Sequence, residues 1–348
     1  MPMKNIYSLI FLSLIINLNC FAQSADYRQT IDSLLAVTTP RPFNGVILIT
    51  QKGKIVYQKA IGYSDFEKRV PLTLRDNFRI MSNSKQITAV LILREVEKGT
   101  IDLNNPIRKY LPHLTQTWAD TVTVHQLLNF SGGVVEIDKP LAFKPGTDFL
   151  YGVAPYTLLG NILTRVTGKT YVEAANSLFK ELKMNHTFCY EGAADQPNVV
   201  SGYRLEKNSF IKQTPPLTQS QWVDFIPAGG IVSNAVDLNT WDTRLHGGKI
   251  LKPETYKLMI RYDITARHDA FGNLAIGYGY GLRINDQHPV TQIGHAGKGL
   301  GFVSIKVYYP KTGVDLIVLE NIYHEDSTLH YYFENRLREI VMNSSLTK

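Results

Sequence analysis

Ser82 and Lys85 are the first residues whose types and spacing suggest chemistry, in the run Phe78-Arg79-Ile80-Met81-Ser82-Asn83-Ser84-Lys85-Gln86. A three-residue offset at a helix start puts both side chains on one face. A serine hydroxyl is a weak nucleophile, and a desolvated lysine of lowered pKa can accept its proton. The free N–H groups and positive dipole end of the helix N-terminus would favour negative charge at Ser82. The bland alternative is an N-cap serine beside a surface lysine. Two further S-x-x-K spacings serve as controls, Ser177–Lys180 and Ser209–Lys212. The first lies within an amphipathic helix whose Leu178 and Phe179 are core candidates, and the second in a short hairpin-like stretch. Neither opens a helix after a strand-like run, so both read as structural.

The elements that must position Ser82 are legible around it. Residues 25–37 read as a short amphipathic helix with Ile31, Leu34 and Leu35 on one side. Gly45–Thr50 and Ile55–Tyr57 are β-rich runs joined at Lys52-Gly53-Lys54, a hairpin signal. From Ser82 to Lys98 the apolar spacing of Ile87, Val90, Leu91 and Val96 is helical, and Gly99 ends it. Residues 100–260 are mostly helix and loop, with a clear helix over 155–166. Strands return at Val290–Ile293, Gly301–Tyr309 and Val314–Glu320, and a closing helix spans Thr328–Met342. Strands at both ends with helices between them predict an α/β (α+β) fold. A central antiparallel sheet is built from both termini, with an inserted, mostly helical lobe.

The chain of 348 residues is 44% hydrophobic and 19% charged, which is ordinary globular usage. A net charge of +7 without any run of three basic residues is too dilute for a nucleic-acid footprint. Lys4, the apolar run Ile6–Ile16 and Cys20-Phe21-Ala22 read as a secretory signal peptide, 1–22. The apolar run is too short to span a bilayer, which takes about 20 residues. A lipoprotein anchor at Cys20 is the alternative, disfavoured by Asn19 before it. Cleavage leaves Cys189 as the only cysteine, so no intramolecular disulfide forms. One composite domain, 23–348, is expected, with its α/β part at about 23–80 and 230–348 and its helical lobe at about 81–229. The expected location is secreted or periplasmic, at a bacterial envelope, with no transmembrane span in the mature chain.

Seven blocks in order resemble the serine β-lactamase, penicillin-binding protein and esterase superfamily, in its class C β-lactamase-related branch. They are Asn44–Leu48 with Lys52-Gly53-Lys54, Phe78–Lys85, Val122–Gly133, Lys144–Thr147 with Tyr151, Tyr156–Gly160, Pro227–Gly230, and Gly294-His295-Ala296-Gly297. The resemblance implies a β-lactamase/DD-peptidase-like fold and a role for each matching position. Ser82 matches the nucleophile and Lys85 its general base or proton relay. Tyr151 matches the tyrosine of the family's Y-x-N block, a base only where nearby cations stabilise its phenolate. The backbone N–H groups of Ser82 and Lys298 would form the oxyanion hole. His295, Ala296 and Gly297 match the cleft-strand box, with Gly297 allowing close approach of substrate backbone. The literal Lys311-Thr312-Gly313 follows Pro310 between two β-rich runs and reads as a turn, not this box.

Two departures bear on substrate choice. Val153 stands where the family carries an asparagine that binds an amide side chain and helps hold the lysine. His295 replaces a permanent cation with a group mostly neutral near pH 7, and Lys298 could partly compensate by charge. Gly229 and Gly230 fit a tight turn, and Ser233 or Asn234 an N-cap. His125 reads as satisfied in place, and adjacent residues such as His324-Glu325-Asp326 rarely converge on one ion. No metal or other cofactor is expected.

The expected function is a serine hydrolase working through a Ser82 acyl-enzyme on small-molecule or peptide substrates. D-amino-acid peptides or small esters rank first and β-lactams second. Peptidoglycan is a candidate partner and nucleic acid is not. The rival is a catalytically inactive penicillin- or peptidoglycan-binding protein.

Overall fold

Lys52 and Gly53 both take positive φ (50° and 76°), the geometry of a two-residue hairpin turn, and so join strands Gly45–Gln51 and Lys54–Ile61. The computed structural model describes residues 26–191, 199–214 and 217–348, so the expected leader at 1–22 lies outside the described residues. The hairpin forms one edge of an eight-stranded antiparallel sheet. In spatial order its strands are Thr265–Ala266, Ile276–Tyr278, Arg283–Asn285, Gln292–Gly299, Phe302–Tyr309, Val314–Glu320, Gly45–Gln51 and Lys54–Ile61. N-terminal and C-terminal strands meet where Gly45 pairs with Glu320 and Gln51 with Val314.

Both faces of this sheet are covered, and the period-2 alternation of strand side chains divides the core in two. Ile47, Ile49, Leu316 and Val318 pack under the terminal helices Tyr27–Leu35 and Tyr332–Asn343. Val46, Leu48, Ile317 and Leu319 face the helical side. The helix Ser84–Glu97 runs through that second core and is buried on nearly every side, including Gln86 and Thr88. Against it lie helices Ala154–Thr167, Tyr171–Glu181 and Gln219–Gly229. Among the described residues no helix is long and apolar enough to cross a membrane.

Several elements depart from their expected bounds. The closing helix begins at Tyr332, because Asp326 caps a separate short 3-10 turn over Ser327–Leu329. The strand expected at Val290–Ile293 instead runs from Gln292 to Gly299, so the Gly294–Gly297 box lies inside it. Gly229 and Gly230 close a helix and do not form a tight turn. A Cβ on Gly229 would fall 2.4 Å from the Phe225 ring, and one on Gly230 2.7 Å from the Ile226 Cα. Asn234 caps the next helix by accepting from the Asp237 N–H. Lys311-Thr312-Gly313 sits in the turn between Phe302–Tyr309 and Val314–Glu320, with Gly313 at φ 65°.

Candidate active site

Ser82 does not open the long helix; it sits in a 3-10 turn, Met81–Asn83, just before it. Met81 adopts φ 49°, a left-handed conformation that costs a non-glycine side chain energy. Burial of the Met81 side chain in the core holds that turn in place. Asn83 is tied to the sheet by donating to Ser304 Oγ, which donates to the Ile80 carbonyl.

Lys85 lies one turn on, its Nζ 3.1 Å from Ser82 Oγ and 2.8 Å from the Ala228 carbonyl. The ammonium end is enclosed by aromatic rings, with Nζ 4.8 Å from the centre of Tyr151 and 5.6 Å from that of Tyr156. Burial disfavours its charge, the Arg283 guanidinium adds repulsion, and together they bring its pKa down to about 7. A lysine with that pKa is half deprotonated at neutral pH and poised to take the Ser82 proton.

Tyr151 behaves oppositely. Burial of its hydroxyl end raises the phenol to about 12, although a hydrogen bond with Ser82 and the Arg283 charge pull the other way. The residue as a whole is 37% exposed, so solvent tempers that rise. The cations beside Tyr151 therefore do not produce a phenolate, and near pH 7 its hydroxyl is a neutral donor and acceptor.

Position by position, the expected site residues divide into two groups. Ser82, Lys85 and Tyr151 converge. His295 was expected at the substrate, yet its ring is fully buried and both nitrogens are engaged. Nε2 accepts from the Tyr278 hydroxyl at 3.0 Å and Nδ1 donates to the Ala296 carbonyl at 2.6 Å. Burial and the Arg283 charge hold it neutral, well below the ordinary imidazole range, so it braces the cleft wall. The Ala296 side chain points into the core beneath the terminal helices, leaving only its backbone to the cleft. Gly297 is required by the protein's own packing. A Cβ there would lie 2.3 Å from the Ile80 carbonyl and 3.0 Å from Met81 Cβ. That contact sets the strand Gln292–Gly299 against the turn that carries Ser82. Val153 is exposed at the start of helix Ala154–Thr167, and the Ala228 carbonyl is the group that holds Lys85.

Arg283, on the neighbouring strand, was not anticipated. It is 2% exposed, and among the described residues its Nε and Nη1 have no hydrogen-bond partner. Its guanidinium carbon lies 5.2 Å from the centre of the Tyr278 ring and 5.9 Å from that of Tyr151. Its only legible signal was an isolated arginine in a β-rich stretch, which carries no motif. The other sequence candidates are engaged elsewhere. His125 bonds Tyr280 and Asn129. The His324 ring accepts from the Asp326 N–H, Glu325 accepts from the Lys207 N–H, and Asp326 caps its turn. Among the described residues no group of three potential ligands could hold a metal.

The profile of the beta-lactamase family matches residues 39–337. The chain belongs to that family. Protein flp of Staphylococcus aureus (strain MRSA252) is 26% identical over 330 residues, covering 86% of this chain and 64% of its own length. The chain thus spans less than two thirds of such curated relatives. Among solved structures, the octameric penicillin-binding protein homologue from Pyrococcus abyssi superposes with TM-score 0.74 and 26% identity, over 88% of this chain and 75% of the other. The D-amino acid amidase from Ochrobactrum anthropi SV3, complexed with D-phenylalanine, shares the fold at TM-score 0.76 and 23% identity, over 91% and 99% of the two chains.

Proposed function

We propose that this protein is a secreted serine hydrolase that cleaves peptides ending in a D-amino acid through a Ser82 acyl-enzyme. The observation that carries the reading is Lys85, a lysine tuned to about pH 7 with its amine 3.1 Å from Ser82 Oγ. Neutral Lys85 takes the Oγ proton as Oγ bonds the scissile carbonyl carbon. The resulting oxyanion rests on the Ser82 and Lys298 N–H groups. The C–N bond then breaks, and the leaving amine receives the proton from Lys85 by way of the Tyr151 hydroxyl. Water repeats the sequence against the ester, returning Ser82 and releasing the acid.

Arg283 supports a substrate with a terminal carboxylate. A buried guanidinium with unpartnered N–H groups costs free energy that an anion beside Ser82 recovers. The amidase that shares this fold binds a D-amino acid, in keeping with D-configured substrates. Val153 offers no amide to a β-lactam side chain, which ranks that reaction below peptide hydrolysis.

The test is the intact mass of the 23–348 protein after incubation with penicillin, together with turnover of peptides ending in a D-residue, for the native chain and Ser82→Ala. Turnover and a persistent adduct, both lost in Ser82→Ala, are expected. Hydrolysed penicillin without an adduct would reassign the chain as a β-lactamase. Undiminished ligand binding without turnover in both proteins would mark a binder.

A further inference from the structure

The short helix Val124–Leu128 ends at Asn129, and the next residue, Phe130, takes φ 62°. That left-handed position after a helix usually falls to glycine, because a side chain there costs energy. Here it carries a phenylalanine that is 1% exposed. The turn around it is clamped. Asn129 Oδ1 accepts from the Ser131 N–H at 3.1 Å and from the Ser131 hydroxyl at 2.7 Å. The Asn129 amide nitrogen donates to His125 Nε2 at 3.2 Å, and His125 Nδ1 bonds the Tyr280 hydroxyl at 2.7 Å. Backbone strain that the surroundings hold this firmly concentrates at functional sites.

What the turn holds is the segment leading to Tyr151. The Phe130 carbonyl accepts from the Leu150 N–H at 3.0 Å, and the Ser131 carbonyl from the Gly146 N–H at 2.7 Å. The Phe130 ring centre lies 4.6 Å from that of Tyr151, nearer than Tyr278 or His295, both at 6.2 Å. The same ring packs on Phe149, Tyr156 and Tyr278, at 5.8, 5.2 and 5.2 Å. After Tyr151 comes Gly152, where an added Cβ would meet, beyond its chain neighbours, only Pro155 at 3.8 Å. The chain after Tyr151 thus gives the phenol little support, and Phe130 supplies it from before. Its carbonyl fixes Leu150 and its ring lies against the phenol, and the left-handed backbone lets one residue do both.

We infer that Phe130 is a positioning residue, which sets the Tyr151 hydroxyl where it relays the proton to the leaving amine. This rests on the peptidase reading above, in which Lys85 gives up that proton by way of Tyr151. The Lys85 Nζ lies 4.8 Å from the centre of the Tyr151 ring, so a tilt of that ring shifts the phenol against its proton source. An amide nitrogen leaves only with a proton, whereas a p-nitrophenolate leaves as the anion. Loss of the phenol's placement therefore burdens peptide cleavage far more than cleavage of such an ester.

The test compares kcat/KM for a peptide ending in a D-residue with kcat/KM for the p-nitrophenyl ester of the same acyl group. Phe130→Leu is expected to lower the peptide-to-ester ratio by about 10–100-fold, since a misplacement near 1 Å costs roughly 10² in rate. In a Tyr151→Phe background the same change is expected to lower the ratio no further, because the two side chains act as one unit. Ester turnover by the same preparation reports folded protein with a working Ser82, which a general structural defect would lower in step with the peptide rate. Phe130→Met keeps most of the volume without the flat ring, and carries the same comparison if the leucine variant does not fold. An unchanged ratio, whether both rates fall together or neither falls, overturns this inference and leaves the peptidase reading intact. So does a further fall of the ratio in the Tyr151→Phe background. No turnover of the peptide by the native protein overturns the peptidase reading, and this inference with it.

Discussion

At the scale of single residues, the cost of burying Lys85 is the source of its reactivity. Its neutral form grows in as pH rises past about 7, so kcat/KM is expected to climb between pH 6 and 8 and then level off. A steady-state profile that stays flat down to pH 5.5 would contradict Lys85 as the base. Lys85→Arg keeps a permanent charge there and is expected to be inactive. The same burial works against stability. The folded protein favours neutral Lys85, whereas the unfolded chain keeps it protonated up to its ordinary value of 10.5. The penalty is therefore fully present below pH 7 and shrinks as pH rises toward 10.5. Lys85→Met is expected to gain more in Tm at pH 6 than at pH 9, as calorimetry at the two values would show. Tyr151 titrates too high to be the primary base, so Tyr151→Phe is expected to lower kcat by ~10²–10⁴, with KM little changed.

At the scale of elements, the site depends on how closely one strand meets one turn. Gly297 lets the strand Gln292–Gly299 touch Ile80 and Met81, and no side chain fits between them. Gly297→Ala must push the strand away from the Ser82 turn, and with it the Lys298 amide proposed above to hold the oxyanion. Overpacking of this kind costs about 1–3 kcal/mol of stability. The activity loss should be larger than the stability loss explains, because a displacement near 1 Å costs roughly 10² in rate. Urea unfolding and kcat measured on the same preparation compare the two. The helix Gln219–Gly229 has a similar positioning role, since its last turn supplies the Ala228 carbonyl to Lys85.

At the scale of the whole molecule, the two ends of the chain are joined inside the protein. Arg41 is fully buried, paired with Glu320 on a central strand and 3.6 Å from Glu334 on the closing helix. One guanidinium faces two acidic side chains, and among the described residues neither Glu334 oxygen has a hydrogen-bond partner. Burial and the nearby Glu320 push the Glu334 carboxyl well above its ordinary range, so it holds a proton in the folded state. The unfolded chain releases that proton near pH 4.5 and the folded protein only much higher. This group therefore takes stability away progressively as pH rises above 4.5, until its folded value is reached. Glu334→Gln, neutral at every pH, is expected to flatten the alkaline fall in Tm. Arg41→Met leaves the buried Glu320 carboxylate without its cation and is expected to cost about 3–5 kcal/mol, readable by denaturant unfolding.

Local pattern was enough to find the hairpin at Lys52-Gly53, the strand runs at 301–309 and 314–320, and the helix that follows Ser82. Each depends on turn chemistry or apolar period within a few residues of itself. The order of the motif blocks carried the family and the trio Ser82, Lys85 and Tyr151. Other features escaped because they are sums over distant chain segments. The aromatic enclosure that tunes Lys85 draws Tyr151 and Tyr156 from one stretch and Ala228 from another. The engagement of His295 depends on Tyr278 and on complete burial. Arg283 has no motif at all, and only the adjacency of its strand to Gln292–Gly299 makes it part of the cleft. Residue type and spacing therefore determined which groups could react. The tertiary structure alone decided which are charged, which are already spent on neighbours, and which remain free for a substrate. Desolvation and hydrogen-bond satisfaction belong to the assembled environment and not to any one segment.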